Sequence, residues 1–276
     1  MSARPALGRG FDAALWVPLA LLAAIVGIAL FGPWLAPWDP FEINHRAVLQ
    51  ASSAAHPLGT DEFGRDILSR LLIGIRPTMF VAFGGTALAA VAGVALGIVA
   101  GFVGRASEFV VMRTVDIMLS FPPILLALLV VGFWPSGMGT LLVTIGVLYT
   151  PHFARVAHSA TIQVVQQEFI EAERSLGATP RRIVLRGVLP NILSPLVVQA
   201  TLTVAAAILL ESGLSFLGVG IKPPTPSWGQ IIGIARGYLE QNPMYTFWPS
   251  LCLAVTVLAI NLIGDRLRDI LDPHTS

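Results

Sequence analysis

Glu171-Ala172-Glu173-Arg174-Ser175-Leu176-Gly177, with Leu189-Pro190 twelve residues beyond the glycine, is a charged stretch set between two long apolar ones. Its periodicity predicts a helix over 164–176, with Val165, Phe169, Ala172 and Leu176 on one face and Glu168, Glu171 and Ser175 on another. Gly177 suits the left-handed position that closes a helix. Thr179 then caps a second helix that starts at Pro180, runs to about Val188 and displays Arg181, Arg182 and Arg186. The result is an elbow whose apolar side, through Phe169 and Leu176, is expected to hold it to its own membrane domain. The charged side is left free. A solvated connector would account for the arginines, but not for three glutamates or for an ordered corner.

The flanking sequence is that of a membrane protein. Of 276 residues, 55% are hydrophobic and 12% charged, against about 25% charged in ordinary soluble domains. Mean hydropathy is +0.76, so lipid must cover much of the surface. Charge-free windows run over 13–38, 77–104, 117–154, 187–210 and 241–264. A spanning helix needs about 20 apolar residues, so four windows fit one span each. The third is too long for one helix and is divided by Trp134-Pro135-Ser136-Gly137-Met138-Gly139, a strong turn signal. Six spans follow, in an all-α fold. With the N-terminus inside, inner segments carry 11 of the 17 basic residues and outer ones 6, as the positive-inside rule requires. Both termini and the elbow then lie in the cytoplasm. The first apolar run is longer than a signal peptide's and lacks a cleavage site, so it reads as a retained helix. A single cysteine, Cys252, excludes an intramolecular disulfide and reads as a small buried hydrophobe.

These boundaries divide the chain into a cytoplasmic N-terminus (1–14), a first span (15–35), an external segment (36–77), a membrane core (78–268) containing the elbow within 161–191, and a cytoplasmic tail (269–276). Residues 61–76 read as an amphipathic helix along the membrane interface. Thr60 is its cap, Asp66 pairs with Arg70, and Arg65, Asp66, Ser69 and Arg70 form its polar face. Span two (78–103) carries Ala89, Gly93, Gly97 and Gly101 at four-residue spacing, a stripe that admits a close helix from the same chain or from a second one. Spans three and four are expected at 110–133 and 140–160, five at 192–212 and six at 247–265. The Gly- and Pro-rich stretch 213–244, with a short helix at 231–238, must pair its backbone within protein rather than face lipid.

The elbow resembles the cytoplasmic loop of permease subunits of ATP-binding-cassette importers. Their motif of Glu-Ala-Ala, three residues, Gly, nine residues, Ile, one residue, Leu-Pro is matched at Glu171, Ala172, Gly177, Leu189 and Pro190, and departs at Glu173 and Gly187. His56-Pro57-Leu58-Gly59-Thr60-Asp61, Gly64-Arg65-Asp66, Leu214-Ser215-Phe216-Leu217-Gly218 and Pro226-Ser227-Trp228-Gly229 are similar to the dipeptide, oligopeptide and nickel branch, and to its second permease subunit. The resemblance implies a type I importer transmembrane architecture in the bacterial inner membrane, taking up peptides or a related solute. It also implies a second permease, two ATPase subunits, an external binding protein, and coupling to the ATPases through Glu171, Ala172, Gly177, Arg181, Arg182, Leu189 and Pro190. Glu171 is the residue expected to meet a basic group on the ATPase.

No catalytic or metal-binding pattern is legible. A P-loop needs a lysine after its second glycine, and the only lysine, Lys222, precedes Pro223-Pro224. ATP and magnesium therefore belong to partner subunits, and no cofactor or nucleic acid is expected on this chain. His152, His158 and Asn261 are polar handles without metal-ligand spacing. Asp116 is expected to pair with Arg113. Glu211, with Ser212, either lines an outer gate or hydrogen-bonds the following loop, and its place near a helix end favours the second. Asn261 is the remaining pathway candidate. An ion-coupled secondary carrier is the alternative class, but it calls for midplane acids and inverted repeats that the sequence does not display.

Overall fold

The computed structural model describes residues 10–271, and among them every regular element is a helix. The helices are α1 (Gly10–Leu35), α2 (Ile67–Val103), α3 (Arg105–Leu119), α4 (Pro123–Phe133), α5 (Met138–Val165), α6 (Glu168–Ser175), α7 (Pro180–Arg182), α8 (Leu193–Phe216), α9 (Trp228–Ala235) and α10 (Pro243–Leu271). Most of the expected N-terminal segment and most of the expected tail lie outside the described residues. Five of the helical stretches are long and apolar enough to cross a membrane, and six if α3 and α4 form one broken span.

That break is the first departure from the sequence reading, which drew one helix over 110–133. The chain turns by 92° between α3 and α4. The cause is Pro122-Pro123. Each proline lacks an N–H and pushes the residue before it out of the helical region, so α3 ends at Leu119 and α4 restarts with Pro123. Two side-chain contacts tie α3 to α5 instead. Arg155 Nη2 donates to Asp116 Oδ1 at 2.6 Å, and His158 Nε2 lies 3.3 Å from Glu108 Oε1. Asp116 therefore pairs with Arg155, not with Arg113, whose guanidinium lies over the Phe109 ring.

The core is the seam between α2 and α5. Ala89 is fully buried, and a Cβ at Gly93 or Gly97 would come within 2.5 Å of the carbonyl oxygen of Thr150 or Ala154. The small-residue stripe thus serves packing within the chain. On the other side of α2, Gly32 brings α1 close, with Leu72 carbonyl oxygen only 2.4 Å from where its Cβ would stand. Pro33 cannot donate to the carbonyl of Ala29, four residues back. Arg76 Nε of α2 takes its place at 2.5 Å, and Nη2 meets the Leu30 carbonyl at 2.5 Å. A backbone group freed within the membrane is re-satisfied from a neighbouring helix, as hydrocarbon surroundings demand.

The interfacial helix at 61–76 is not formed. Residues 61–65 lie in turns, and α2 begins at Ile67 and runs without interruption past Pro77. Asp66, not Thr60, is its cap: the carboxylate accepts from Ser69 N and Ser69 Oγ, both at 2.8 Å. Thr60 instead ties the preceding loop, accepting from Gln50 N and donating to the Ala47 carbonyl. The side chains expected to face headgroups are interior. Arg65 donates to Asp61 (2.6 Å) and Glu62 (2.8 Å), and Arg70 reaches Asp61 (3.3 Å) and the Pro40 carbonyl (3.1 Å). Tyr245 Oη of α10 closes the cluster by donating to Glu62 Oε2 at 2.6 Å. Charge patterning looked amphipathic because oppositely charged residues one turn apart read alike whether they meet water or each other.

The stretch after α8 packs as its backbone requires. Ser227 caps α9 by accepting from Gln230 N, so this helix starts three residues before the expected 231 and closes in a 3-10 turn at Arg236–Tyr238. Trp228 is buried and donates Nε1 to the Leu71 carbonyl at 3.0 Å.

Candidate coupling elbow and pathway residues

α5 stops at Val165, and α6 begins three residues later behind an extended Gln167. At its other end, Gly177 has φ +78°, where an L side chain is strained. Its N–H donates to the Arg174 carbonyl and the Ala178 N–H to the Glu173 carbonyl, both at 3.0 Å. This pair of bonds closes α6 and satisfies its last carbonyls. Thr179 Oγ1 accepts from Arg182 N at 3.4 Å, and Pro180 opens α7. α7 continues as a π-helical turn (Ile183–Val188) and a 3-10 turn (Leu189–Ile192) directly into α8. The corner is built as Gly177, Thr179 and Pro180 predict.

The anchor is different from the expectation. Phe169 and Leu176 are 41% and 87% exposed, whereas Ile170 is fully buried, in the same apolar cluster as Ile183, Val188 and Ile192. The helical face had been set one residue out of register because the helix starts at Glu168 rather than at 164. Ile170 also accounts for Gly187, where the resembled motif has isoleucine. A Cβ at 187 would lie 2.7 Å from Ile170 Cδ1, so the space is already filled from α6. Val188, next in line, is fully buried. Arg174 lies over the Phe102 ring at 5.8 Å, tying the elbow to the end of α2.

The outward side therefore carries Glu168, Phe169, Glu171, Ala172, Ser175 and Leu176, with Arg181 and Arg182 beyond the corner, all exposed. Leu189 is half-buried and Pro190 exposed where the elbow passes into α8. Acidic side chains precede the corner and basic ones follow it, around a projecting leucine. Such a surface binds a partner of matching shape with opposite charges at each end. One oxygen of Glu173, the other departure from the motif, is buried without a hydrogen-bond donor.

Of the three pathway candidates, Glu211 and Ser212 are bonded to each other, and Asn261 is not part of that network. Glu211 is fully buried, accepting from Ser215 Oγ at 2.7 Å and Ser212 Oγ at 3.4 Å, with the Thr78 and Ser227 hydroxyls close by. Ser215 Oγ in turn accepts from Ile221 N at 3.1 Å, so the carboxyl group holds the following loop through a hydroxyl relay. Ser212 is buried beside it, and Asn261 lies half-buried on α10. The hydrogen-bonding alternative is the one this geometry supports.

The sequence matches the family described as "Binding-protein-dependent transport system inner membrane component" over residues 93–276. It is similar to the di/tripeptide transport system permease protein DppC of Pseudomonas aeruginosa, 39% identical over 261 residues, covering 92% of this chain and 86% of that protein. It is 39% identical over 254 residues to the glutathione transport system permease protein GsiD of Escherichia coli, covering 90% and 82%. The fold is similar to that of a solved chain of the MetNI methionine ABC transporter in an inward facing conformation. The TM-score is 0.62 at 26% identity, covering 74% of this chain and 96% of that one.

Proposed function

The chain belongs to the family of binding-protein-dependent transport system inner membrane components, and from that premise we propose that it imports di- or oligopeptides as one of two permeases in an ATP-driven importer. It is a multi-pass bacterial inner-membrane protein. In this reading an external binding protein delivers the peptide. A second permease completes the path, and two ATPase subunits, holding ATP and magnesium, supply the work from the cytoplasm. The relatives named for dipeptides, tripeptides and glutathione support the cargo class, since all three carry peptide bonds.

The observation that carries the coupling role is the elbow: a corner anchored by Ile170 that leaves Leu176 projecting between acidic and basic side chains. A leucine so exposed on an ordered, hydrogen-bonded corner fits a pocket on a soluble partner. ATP binding closes the ATPases around this corner, and the motion passes into α8 through the continuous turns after Pro180 and into α2 through Arg174 on Phe102.

Glu171→Lys tests the reading in the reconstituted complex. Expected is loss of binding-protein-stimulated ATP hydrolysis, by at least about tenfold for a charge pair replaced by repulsion, with membrane insertion intact. Unchanged stimulation refutes the assignment.

A further inference from the structure

A cleft of about 670 Å³ lies between the last turns of α5, the first turns of α8 and the end of α10. Gln163, Asn191, Ser194 and Gln199 contribute its polar groups, with Arg268 from α10, on a wall otherwise built of apolar side chains such as Val198 and Leu202. A second groove, bounded by α1, α2, α8 and α10, is lined by Leu22, Phe83, Val197, Ile260 and similar residues. The two make a contrast. The apolar groove lies along the spans, whereas Gln163 and Asn191 belong to the cytoplasmic segment 161–191 and Arg268 follows the last span, so the polar groups gather at the inner end of the bundle. The polar cleft therefore opens to water, and its residues meet what passes through that water.

The amides are held in place but not used up. Asn191 Nδ2 donates to the Gly187 carbonyl at 2.6 Å, and Gln199 Nε2 to Thr203 Oγ1 at 3.0 Å. In Asn191 the carbonyl partner fixes which end is the donor, so its Oδ1 is the atom left free to accept. Among the described residues, the Gln163 amide, the Ser194 hydroxyl and the Arg268 guanidinium have no hydrogen-bond or ion-pair partner in the protein. Among the described residues, no acidic side chain lines the cleft.

We infer that this cleft is a resting station for the peptide on its way inward, holding it by main chain and terminal carboxylate and not by its side chains. The inference rests on the peptide reading above. Primary amides accept from and donate to peptide groups that every peptide shares, and Arg268 pairs with the one anionic group common to all free peptides. With no acid in the lining, the amino terminus stays in water. The site is consequently indifferent to side-chain identity, and selection falls to whichever protein loads the path.

The test uses the complete transporter in liposomes, with Cys252→Ala to remove the native thiol and Gln199→Cys to place a new one. A charged, membrane-impermeant thiosulfonate is applied from the ATPase side, with and without dialanine. The new thiol should react from that side, and dialanine should slow it, by about tenfold when the site is nine-tenths full. C-terminally amidated dialanine should protect markedly less. Reaction only with a lipid-soluble maleimide overturns the inference, and so does reaction that dialanine does not slow. Gln163→Cys repeats the measurement should Gln199→Cys fail to fold. In parallel, Gln163→Leu with Gln199→Leu should lower uptake of dialanine, dileucine and dilysine by one common factor. Factors that follow the side chain contradict it. A wild-type complex that imports none of these peptides sinks the peptide reading, whereas normal import with an unprotected thiol sinks the cleft alone.

Discussion

Gly97→Ala should destabilise the chain although it replaces glycine by the best helix former. A methyl group there would stand 2.5 Å from the Ala154 carbonyl oxygen, 2.6 Å from Ala157 Cβ and 2.8 Å from His158 N. Ordinary contact begins at about 3.4 Å, so α2 and α5 must separate locally by about 0.9 Å. Two of those neighbours are backbone atoms of a helix and cannot swing aside. A radial gap of 0.5–1 Å forfeits about a quarter to a half of each dispersion contact, and it would spread to Gly93 and Gly101 on the same stripe. Overpacking of this kind costs about 1–3 kcal/mol. The better helix propensity of alanine returns about 1 kcal/mol at most, leaving a net loss of up to about 2 kcal/mol. Gly27→Ala is the internal control, because nothing lies within 4 Å of its Cβ position and only the propensity gain remains. Equilibrium unfolding in mixed micelles should move the two variants in opposite directions. If Gly97→Ala proves as stable as Gly27→Ala, the close seam between α2 and α5 is wrong.

Tyr245→Phe removes the donor to Glu62 Oε2 and leaves that buried oxygen with one partner fewer, at a cost of about 1–3 kcal/mol; a thermal melt unmoved by the change would contradict the buried cluster. Ile170→Ala takes the fully buried anchor from under the elbow and should cost about 2–5 kcal/mol, concentrated in residues 164–192. Hydrogen exchange should then quicken in α6 while α2 and α5 keep their protection, and uniform protection would show that the elbow is held some other way.

What the sequence made legible depended on whether a signal was local. The corner was readable to the residue, because Gly177, Thr179 and Pro180 act through their own backbone preferences and need no tertiary partner. The spans were readable from charge-free length. Reading failed where two physical situations share one pattern. Arg65, Asp66, Ser69 and Arg70 sit at helical spacing like a wet face, but Asp61, Glu62 and Tyr245 receive or adjoin them in a buried cluster. The two acids lie close in sequence, while the tyrosine is more than 180 positions away. Ile170 escapes the pattern because a face set one residue out of register is rotated by about 100°. The Pro122-Pro123 break was legible and went unused, since the window around it was read for hydropathy alone. The polar cleft could not be foreseen. Gln163, Ser194, Gln199 and Arg268 are ordinary residues until three helices place them on one wall.

α2 has 37 residues, so at about 1.5 Å each it is a rod about 55 Å long, far exceeding the roughly 30 Å of oil it crosses. Its first turn is clasped by the ionic knot around Asp61, and its last is touched by Arg174 from the elbow. The close seam with α5 at Gly93, Gly97 and Gly101 grips the last third of that rod. Contacts made at the two faces of the membrane thus fall on one unbroken helix.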